Sequence, residues 1–557
     1  MRSIDRVILS DNKNQSAEQS AAPIMSKHRK PAARGRTGIA PIQKAPTIIP
    51  GLGVDVPELQ RARTLWGLNR LDESLKLFEE AVRKYPQNLV ALVDASRALG
   101  ARFEIRRAEA MLDRMVKLGA RQPEVLHLAG QSYRMIFRPE RAMECLEQVI
   151  RLTREIPDAY LELAILYERR HRLDEAFRLI EDCLRAAPDY LEAELFKARL
   201  LRRLKDEASS ESVFLTLVGN EQAHPDVRAQ AWAEIAQLRD RQGDYQAAME
   251  SMNKSKEILL AKEGDILRHA DAVMGHLRAL VDSLTRGHFE RWREDGRAFE
   301  ASNVAVLTGF PRSGTTLLEQ VIDSHSNAVS SDEREAFARD IFPAMWLRPE
   351  SPLPTADVLG AVPPERLKTL RNRYLAYMEA ALNEPIGGRL HLDKNPTLTV
   401  VLPGLLRLFP ETRCLIALRD PRDVVISCFM QYLPLNANSV YFLTLERAAQ
   451  RYANDLGIWL KLREKIASPW LEVRYENCVT NLENEARRAL DFLGLVWEPT
   501  VLTYRERLKE KAVASPTYEA VSQPLYTKAI GRWSHYEKHI QPGMKHLQPM
   551  MEALGYS

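Results

Sequence analysis

The sequence predicts two folded units: an all-α solenoid of paired helices and, behind it, an α/β domain built on a parallel sheet. Small and large apolar residues that recur at a constant interval predict the solenoid. An apolar run that enters a glycine-containing loop and then an amphipathic helix predicts the α/β domain, and two later apolar runs supply further strands. The length of 557 residues accommodates both units without remainder.

Residues 1–50 precede the first unit and lack hydrophobic periodicity. They are rich in serine, alanine, proline and basic residues, so we expect a disordered basic tail. Neither this tail nor the rest of the chain has an apolar stretch suited to a signal peptide or a membrane span, which favours a cytoplasmic protein. The net charge of +4 is small for the length and predicts no affinity for nucleic acid.

The repeat in residues 55–262 involves three positions of a two-helix unit. A small residue marks each helix, and a large apolar residue follows the second small residue by four positions. The first-helix residues are Ala62, Ser96, Gly130, Ala164 and Ala198, the second-helix residues are Ser74, Ala108, Ala142, Ala176 and Ser210, and the large residues are Phe78, Leu112, Leu146, Ile180 and Phe214. A further unit around Ala236 and Ala248 follows a short insertion.

This pattern resembles the tetratricopeptide repeat, in which small residues let two helices approach closely and large residues fill the gap between them. An unrelated helical bundle is the alternative, and five markers in one register argue against it. Stacked repeats leave a concave groove, so the resemblance implies a protein or peptide acceptor held in the groove. Residues 263–300 are expected to form a helical linker to the second unit.

The second unit is predicted over residues 301–557, and its first polar loop spans residues 309–316. The apolar run before the loop is typical of a strand, and the apolar positions after it are typical of one face of a helix. Backbone N–H groups of such a loop and the positive end of the helix dipole converge on one point, where a phosphate binds. A tight strand-to-helix turn without a ligand is the alternative interpretation.

The composition of this loop narrows the class of phosphate ligand. Gly309 and Gly314 have the P-loop spacing, but Thr315 occupies the position of the P-loop lysine. That lysine contacts the β- and γ-phosphates of ATP or GTP, so its absence argues against ordinary nucleotide hydrolysis. Arg312 within the loop instead suits a phosphate that carries a different transferable group.

Two further apolar runs end in polar segments. Residues 390–392 lead into a segment that contains Lys394, and residues 414–418 lead into a segment that contains Arg419 and Ser427. Ligands of open α/β sheets bind beyond the carboxyl ends of the strands, so we expect both segments to converge on the first loop. Arg419 and Ser427 can then contact one phosphate from two sides. A charged turn that caps the next helix is a compatible interpretation of the same segment.

From about residue 301 to the end, these features resemble the sulfotransferase superfamily, whose sulfuryl donor is 3′-phosphoadenosine 5′-phosphosulfate (PAPS). The resemblance implies that the first loop contacts the 5′-phosphosulfate and that Arg419 and Ser427 hold the 3′-phosphate. The residues that it assigns to the cofactor are Pro311, Arg312, Ser313, Gly314, Thr315, Thr316, Arg419, Ser427, Tyr475, Arg532, Trp533 and Thr517.

Within the superfamily, the chain is more similar to the tyrosylprotein branch than to the cytosolic small-molecule branch. The cytosolic branch has a histidine base where this chain has Pro396. Glu333, on the segment that follows the first helix of the domain, matches the catalytic glutamate of the tyrosylprotein branch. The sequence departs from that branch at Glu335, where the branch has an arginine.

The last segments add two looser matches. Tyr475 and the pair Arg532 and Trp533 resemble elements of the tyrosylprotein branch that contact the nucleotide. A hydroxyl near the cofactor is expected on the loop before Pro524, from Ser515 or Thr517.

The resemblance implies sulfuryl transfer to an acceptor hydroxyl, with Glu333 as the base and with Arg312 and Lys394 stabilising the charge that develops. No metal ion is required for this chemistry. A protein or peptide tyrosine is the favoured acceptor, and a saccharide or a small alcohol stays open.

A nucleotide kinase and a repeat-based scaffold with an inactive C-terminal domain are the alternatives of other classes. The charged residues around Glu333 are also typical of a face that is exposed to solvent. The alternative interpretation of Lys394 is a lysine at a strand end whose side chain reaches solvent.

Overall fold

The computed structural model describes residues 54–346, 355–508 and 527–557. The predicted fold class is confirmed, because an all-α repeat array is followed by an α/β domain with a parallel sheet. The tail over residues 1–50 lies outside the described residues. None of the helices within these ranges is both long enough and apolar enough to traverse a lipid bilayer.

In this part of the chain, the array contains six consecutive pairs of helices. They are α1 (Pro57–Gly67) with α2 (Leu71–Lys84), α3 (Leu89–Ala101) with α4 (Ile105–Leu118), α5 (Pro123–Met135) with α6 (Pro139–Leu152), α7 (Pro157–Arg169) with α8 (Leu173–Ala186), α9 (Leu191–Arg203) with α10 (Glu207–Gly219), and α11 (Pro225–Arg241) with α12 (Tyr245–Leu260). The small and large marker residues of the repeat are buried between these helices.

The third pair shows why the pattern specifies close packing. A Cβ atom added to Gly130 of α5 would lie 3.1 Å from Cγ of Leu146 of α6, so the small residue makes room for the large one. Leu146 is almost fully buried. Burial of one such side chain contributes about 1.5–3 kcal/mol to the free energy of unfolding.

The two helices of each pair are joined by a residue in the left-handed backbone conformation, and we call these six positions the repeat turns. They are Asn69, Phe103, Phe137, His171, Lys205 and Gly243. Asparagine and glycine adopt this conformation at low cost, whereas a bulky residue there is uncommon. The two phenylalanines are therefore unusual among the repeat turns.

Helices α13 (Gly264–Ser283) and α14 (Arg286–Gly296) follow the array. Leu277 of α13 and Trp292 of α14 belong to the same hydrophobic core as Val306 and Phe310 of the α/β domain. Residues 263–300 thus pack as part of the core of the second domain.

The sheet has five parallel strands in the order β2-β3-β1-β4-β5. The strands are β1 (Val304–Gly309), β2 (Ala328–Ser330), β3 (Leu390–Lys394), β4 (Arg413–Leu418) and β5 (Trp470–Arg474). The central strand β1 is buried along its whole length. Parallel pairing brings the carboxyl ends of β1, β3, β4 and β5 to one edge of the sheet, where ligands of such sheets bind.

The second domain also contains helices, some of which pack on the sheet and some on other helices. They are α15 (Thr315–Asp323), α16 (Ala356–Gly360), α17 (Pro364–Leu382), α18 (Leu402–Leu408), α19 (Pro421–Phe429), α20 (Leu445–Arg463), α21 (Tyr475–Thr480), α22 (Leu482–Leu493), α23 (Tyr504–Leu508) and α24 (Glu537–Leu554). Shorter helical turns occupy Phe337–Ile341, Phe342–Ala344, Leu398–Val401, Ser439–Leu443, Pro499–Thr503 and Arg532–Tyr536.

Candidate functional site

The loop after β1 is shaped by two glycines. Gly309 has a φ of 152°, and a Cβ atom there would lie 2.4 Å from the backbone oxygen of Ala417 in β4. Gly314 has a φ of 93°, and a Cβ atom there would lie 2.6 Å from Cδ2 of Tyr475. Only glycine is compatible with both the conformation and the space at these positions. The glycines therefore bring the end of β4 and the ring of Tyr475 against the loop.

The rest of the loop is constrained as well. Arg312 has a φ of 72°, a left-handed conformation that costs a non-glycine residue about 1–3 kcal/mol. The backbone N–H of Ser313 donates to the backbone oxygen of Phe310 at 3.1 Å, and helix α15 begins at Thr315. The strain at Arg312 and the helix start after Gly314 are both typical of a loop that binds an anion.

Three side chains from the segments that follow two strands meet beside this loop. Nε of Arg312 donates a hydrogen bond to Oγ of Ser427 at 2.9 Å. Nη1 of Arg419 donates to the backbone oxygen of Arg312 at 3.2 Å. The structure thus brings the sequence-predicted residues Arg312, Arg419 and Ser427 into one cluster at the ends of β1 and β4.

Arg419 has further contacts that hold it in this cluster. Its guanidinium lies 4.7 Å from the centre of the Tyr475 ring, and Nη2 donates to the backbone oxygen of Ala529 at 2.5 Å. Arg419 is 7% exposed, and its Nε has no hydrogen-bond partner among the described residues. A buried guanidinium N–H without an acceptor is costly unless an anion accepts from it.

The segment that contains Trp533 lies against the same cluster. The carboxylate of Asp423 accepts from the backbone N–H groups of Gly531 and Trp533, both at 2.8 Å. The guanidinium of Arg422 lies 3.8 Å from the centre of the Trp533 ring. Two residues of α19 therefore hold this segment beside Ser427 of the same helix.

A second cluster forms around Lys394 at the end of β3. Nζ of Lys394 lies 2.9 Å from Oε1 of Glu333, 3.0 Å from Oε2 of Glu319 and 3.1 Å from Oδ1 of Asp332. Lys394 is fully buried, so it does not reach solvent. Glu333 is one-third exposed and is the member of the cluster that solvent reaches most easily.

Neighbouring charges and burial determine the protonation of this cluster. Burial alone would lower the pKa of Lys394, but the Glu319, Asp332 and Glu333 carboxylates outweigh it and hold that pKa well above its usual value. Burial raises the pKa of Glu319 to about 7, although Lys394 opposes this shift. For Asp332, burial is outweighed by Lys394 and Arg334, which lower its pKa.

The raised pKa of Glu319 predicts a pH dependence of stability. Its folded-state pKa of about 7 lies above its ordinary value of 4.5, so the folded protein binds this proton more tightly than the unfolded chain. The resulting stabilisation is complete below pH 4.5 and is lost as the pH rises through about 7. Glu319 is therefore expected to lower the melting temperature between pH 5 and pH 8, so that the change over this range is more negative in the unsubstituted protein than in Glu319→Gln.

Thermal unfolding in matched buffers measures this difference. Asp393 contributes a fall of the same sign in both proteins, because burial raises its pKa to about 7. The buried His391, whose pKa burial lowers to about 4, contributes a change of the opposite sign to both proteins. The Glu319 assignment is contradicted if the melting temperatures of the two proteins change equally between pH 5 and pH 8.

The remaining sequence-predicted residues have different surroundings. Nη2 of Arg532 lies 2.7 Å from Oδ1 of Asp240 in the repeat array. Thr517, like the alternative Ser515, lies outside the described residues. Glu335 forms an ion pair with Arg339 at 3.5 Å.

Three residues that contact the two clusters were not found from the sequence: Glu319, Asp332 and Asp423. Glu319 carried a usable signal, since it is a carboxylate between the apolar pairs Leu317–Leu318 and Val321–Ile322 of the helix. Asp332 was hidden in the charged segment around Glu333. Asp423 carried no signal of its own, because its partners lie in the last segment of the chain, far from it in sequence.

Comparison with known proteins assigns both units to families. Residues 305–499 match the sequence model described as the sulfotransferase family, and residues 127–190 and 229–258 match two models of the tetratricopeptide repeat. The chain therefore carries a sulfotransferase-family domain behind a tetratricopeptide-repeat array. Among the described residues, no group of three or more His, Cys, Asp or Glu side chains is arranged to hold a metal ion.

Similar proteins include protein-tyrosine sulfotransferases. The chain is 26% identical over 265 residues to protein-tyrosine sulfotransferase 2 of Gallus gallus, a match that covers 45% of this chain and 68% of that protein. It is 25% identical over 264 residues to protein-tyrosine sulfotransferase 1 of Danio rerio, covering 45% and 71%. An uncharacterized protein of Aquifex aeolicus is 23% identical over 350 residues, covering 61% of this chain but only 44% of that protein.

Proposed function

We propose that the protein transfers a sulfuryl group from PAPS to the hydroxyl of a tyrosine in a protein or peptide. The proposal depends most on one observation, which is that the Arg312, Ser427 and Arg419 cluster and the Lys394 and Glu333 pair lie at the same edge of the parallel sheet. The similarity to protein-tyrosine sulfotransferases supports the tyrosine acceptor.

The residues of the first cluster fit the phosphate groups of this donor. The buried Nε of Arg419, which lacks an acceptor in the described structure, and the hydroxyl of Ser427 can both donate to one phosphate. The backbone N–H groups at the start of α15 suit a second phosphate near Arg312. The ring of Tyr475 lies against both Gly314 and the guanidinium of Arg419, so it contacts both of these positions.

The second cluster supplies the groups that move a proton and stabilise charge. PAPS supplies a sulfuryl group on a phosphate leaving group. Glu333 accepts the proton of the acceptor hydroxyl as the hydroxyl oxygen bonds to sulfur and the bond from sulfur to the phosphate oxygen breaks. Lys394 and Arg312 donate hydrogen bonds to the oxygens on which negative charge develops. Glu319 and Asp332 keep Lys394 charged and oriented towards Glu333.

Titration calorimetry with adenosine 3′,5′-bisphosphate without added metal, in parallel with ATP alone and ATP with magnesium, tests the nucleotide assignment. We expect the bisphosphate to bind and ATP to bind much more weakly. A preference for ATP with magnesium would contradict the proposal and favour a kinase. A peptide with one central tyrosine and the same peptide with phenylalanine then test the acceptor, with a saccharide and a small alcohol as the competing acceptors.

Replacement of Glu333 by glutamine is expected to leave the affinity for the bisphosphate unchanged and to lower turnover of the tyrosine peptide by about 10²–10⁴-fold. Glutamine still accepts a hydrogen bond from Lys394 but does not take a proton. Glu335→Gln is the matched control. It removes one negative charge two residues after Glu333, from a carboxylate that forms an ion pair with Arg339. Normal turnover in Glu333→Gln would disprove the role of Glu333 as base.

A further inference from the structure

The two phenylalanines among the repeat turns both contact the sulfotransferase-family domain. Phe103 and Phe137 have φ values of 59° and 62°, where a bulky side chain is uncommon. The Phe103 ring centre lies 6.0 Å from that of Tyr377, a residue of α17. The Phe137 ring centre lies 3.9 Å from the guanidinium carbon of Arg334. A strained conformation that persists at a contact between domains is a reason to look for a function there.

The contact at Phe137 is linked to the Lys394 cluster through Arg334. Arg334 follows Glu333 in sequence, and Arg334 also lowers the pKa of Asp332, another carboxylate of the cluster. A guanidinium over an aromatic ring is held in place by the cation–π attraction. The turn of the third repeat therefore lies against the segment that presents Glu333.

Polar contacts next to these turns also join the repeat array to the second domain. Nη2 of Arg138 donates to the backbone oxygen of Ala380 in α17 at 2.9 Å. Nε of Arg102 lies 2.7 Å from Oδ1 of Asp340, shortly after the Glu333 segment. Arg138 and Asp340 are both buried, so these are interior contacts of one folded unit.

The last repeat contacts the other side of the site. Asp240, at the end of α11, accepts a hydrogen bond from the hydroxyl of Tyr536, and its Oδ1 lies 2.7 Å from Nη2 of Arg532. The ring of Tyr245, at the start of α12, stacks on His535 with the centres 4.0 Å apart. Asp423 of α19 holds the same segment from the opposite side, through the N–H groups of residues 531 and 533.

We propose that the repeat array positions the sulfotransfer site at both sides. Phe137 positions the Glu333 segment through Arg334, and Asp240 positions the segment of residues 529–536 through Arg532 and Tyr536. This inference rests on the proposed function, which assigns the base to the Glu333 segment and nucleotide contacts to the segment of residues 529–536. Phe137 and Asp240 are positioning residues, because each acts through side chains of the second domain.

A pair of variants in the full-length protein tests this division of roles. Phe137→Ala should raise amide hydrogen exchange about tenfold in residues 331–335 and leave exchange in residues 529–536 unchanged. Asp240→Asn should raise exchange in residues 529–536 and leave exchange in residues 331–335 unchanged. It should also raise the Kd for adenosine 3′,5′-bisphosphate by about tenfold, the effect of losing one charge-assisted hydrogen bond. Phe137→Ala should leave this Kd unchanged.

Two control variants separate positioning from general destabilisation. Phe137→Tyr keeps a ring beneath Arg334 and should behave as the unsubstituted protein. Lys205→Ala changes the exposed residue at the equivalent repeat turn of the fifth pair and should alter neither segment. The proposal is overturned if Phe137→Ala or Asp240→Asn raises exchange in both segments, or if it raises exchange in neither. If the unsubstituted protein does not bind the bisphosphate, the proposed function fails, while the exchange measurements still decide whether the array positions the two segments.

Discussion

Replacement of Lys394 by methionine is expected to lower the free energy of unfolding at pH 8 by about 3–5 kcal/mol, the usual cost of removing one partner of a buried ion pair. Three carboxylates, those of Glu319, Asp332 and Glu333, lie within 3.1 Å of its Nζ and would be left without their shared cation. Turnover of a tyrosine peptide is expected to fall by about 10²–10³-fold as well, because one stabiliser of developing charge is lost.

The pH dependence of this loss identifies its cause. Without Lys394 the pKa of Glu319 rises further above its unfolded value, and the pKa of Asp332 loses the main interaction that holds it low. The variant is therefore most stable when these groups are protonated and loses stability as the pH rises. The deficit relative to the unsubstituted protein should therefore be smaller at pH 5 than at pH 8. Denaturant unfolding at both pH values measures it.

Lys461→Met is the matched control for this experiment. Lys461 is half exposed and pairs with Asp282 at 2.5 Å, so its replacement should change the free energy of unfolding by less than about 1 kcal/mol. Equal stabilities of Lys394→Met and the unsubstituted protein at pH 8 would show that the Lys394 cluster does not stabilise the fold.

Replacement of Arg419 by alanine is expected to raise the Kd for adenosine 3′,5′-bisphosphate by about 10²-fold. The guanidinium contacts the backbone oxygens of Arg312 and Ala529 and lies over Tyr475, so the substitution removes a charged donor and loosens three elements of the site. A hydrogen bond to a charged group contributes about 1.5–3 kcal/mol, which corresponds to this change in affinity.

Titration calorimetry measures the effect, and two variants control it. Arg419→Lys keeps the charge but not the planar set of donors, so we expect intermediate affinity. Arg413→Ala removes an arginine from the opposite end of the same strand β4 and should leave the Kd unchanged. An unaltered Kd in Arg419→Ala would remove Arg419 from the nucleotide site.

Much of the fold was predictable because its signals are local. The helices of the array follow from a regular period in which Gly130 faces Leu146, a relation that two nearby positions of the chain specify. The loop between β1 and α15 was equally readable, since Gly309 and Gly314 are required by its backbone. Parallel strands share a carboxyl edge, so the meeting of Arg312 with Arg419 and Ser427 also followed from the pattern.

The parts that were missed depend on contacts between distant segments. Lys394 was predicted as a site residue, but its complete burial was not, because the carboxylates of Glu319 and Asp332 that pair with it belong to much earlier segments of the chain. Arg532 was read only as a nucleotide contact, and its pairing with Asp240 joins the C-terminal segment to the repeat array. No local period or spacing encodes such a pairing.

The sequence by itself determined the two architectures, the loop over residues 309–316 between a strand and a helix, and the set of charged residues that the candidate site contains. These features depend on backbone conformation and on short-range periodicity, which neighbouring residues specify. Only the tertiary structure decided how the charges are paired, which carboxylates are buried, and that the turns at Phe137 and Gly243 flank the site. Burial and charge pairing change the energy of an ionised group by several kcal/mol, and both depend on segments that become neighbours only when the chain has folded.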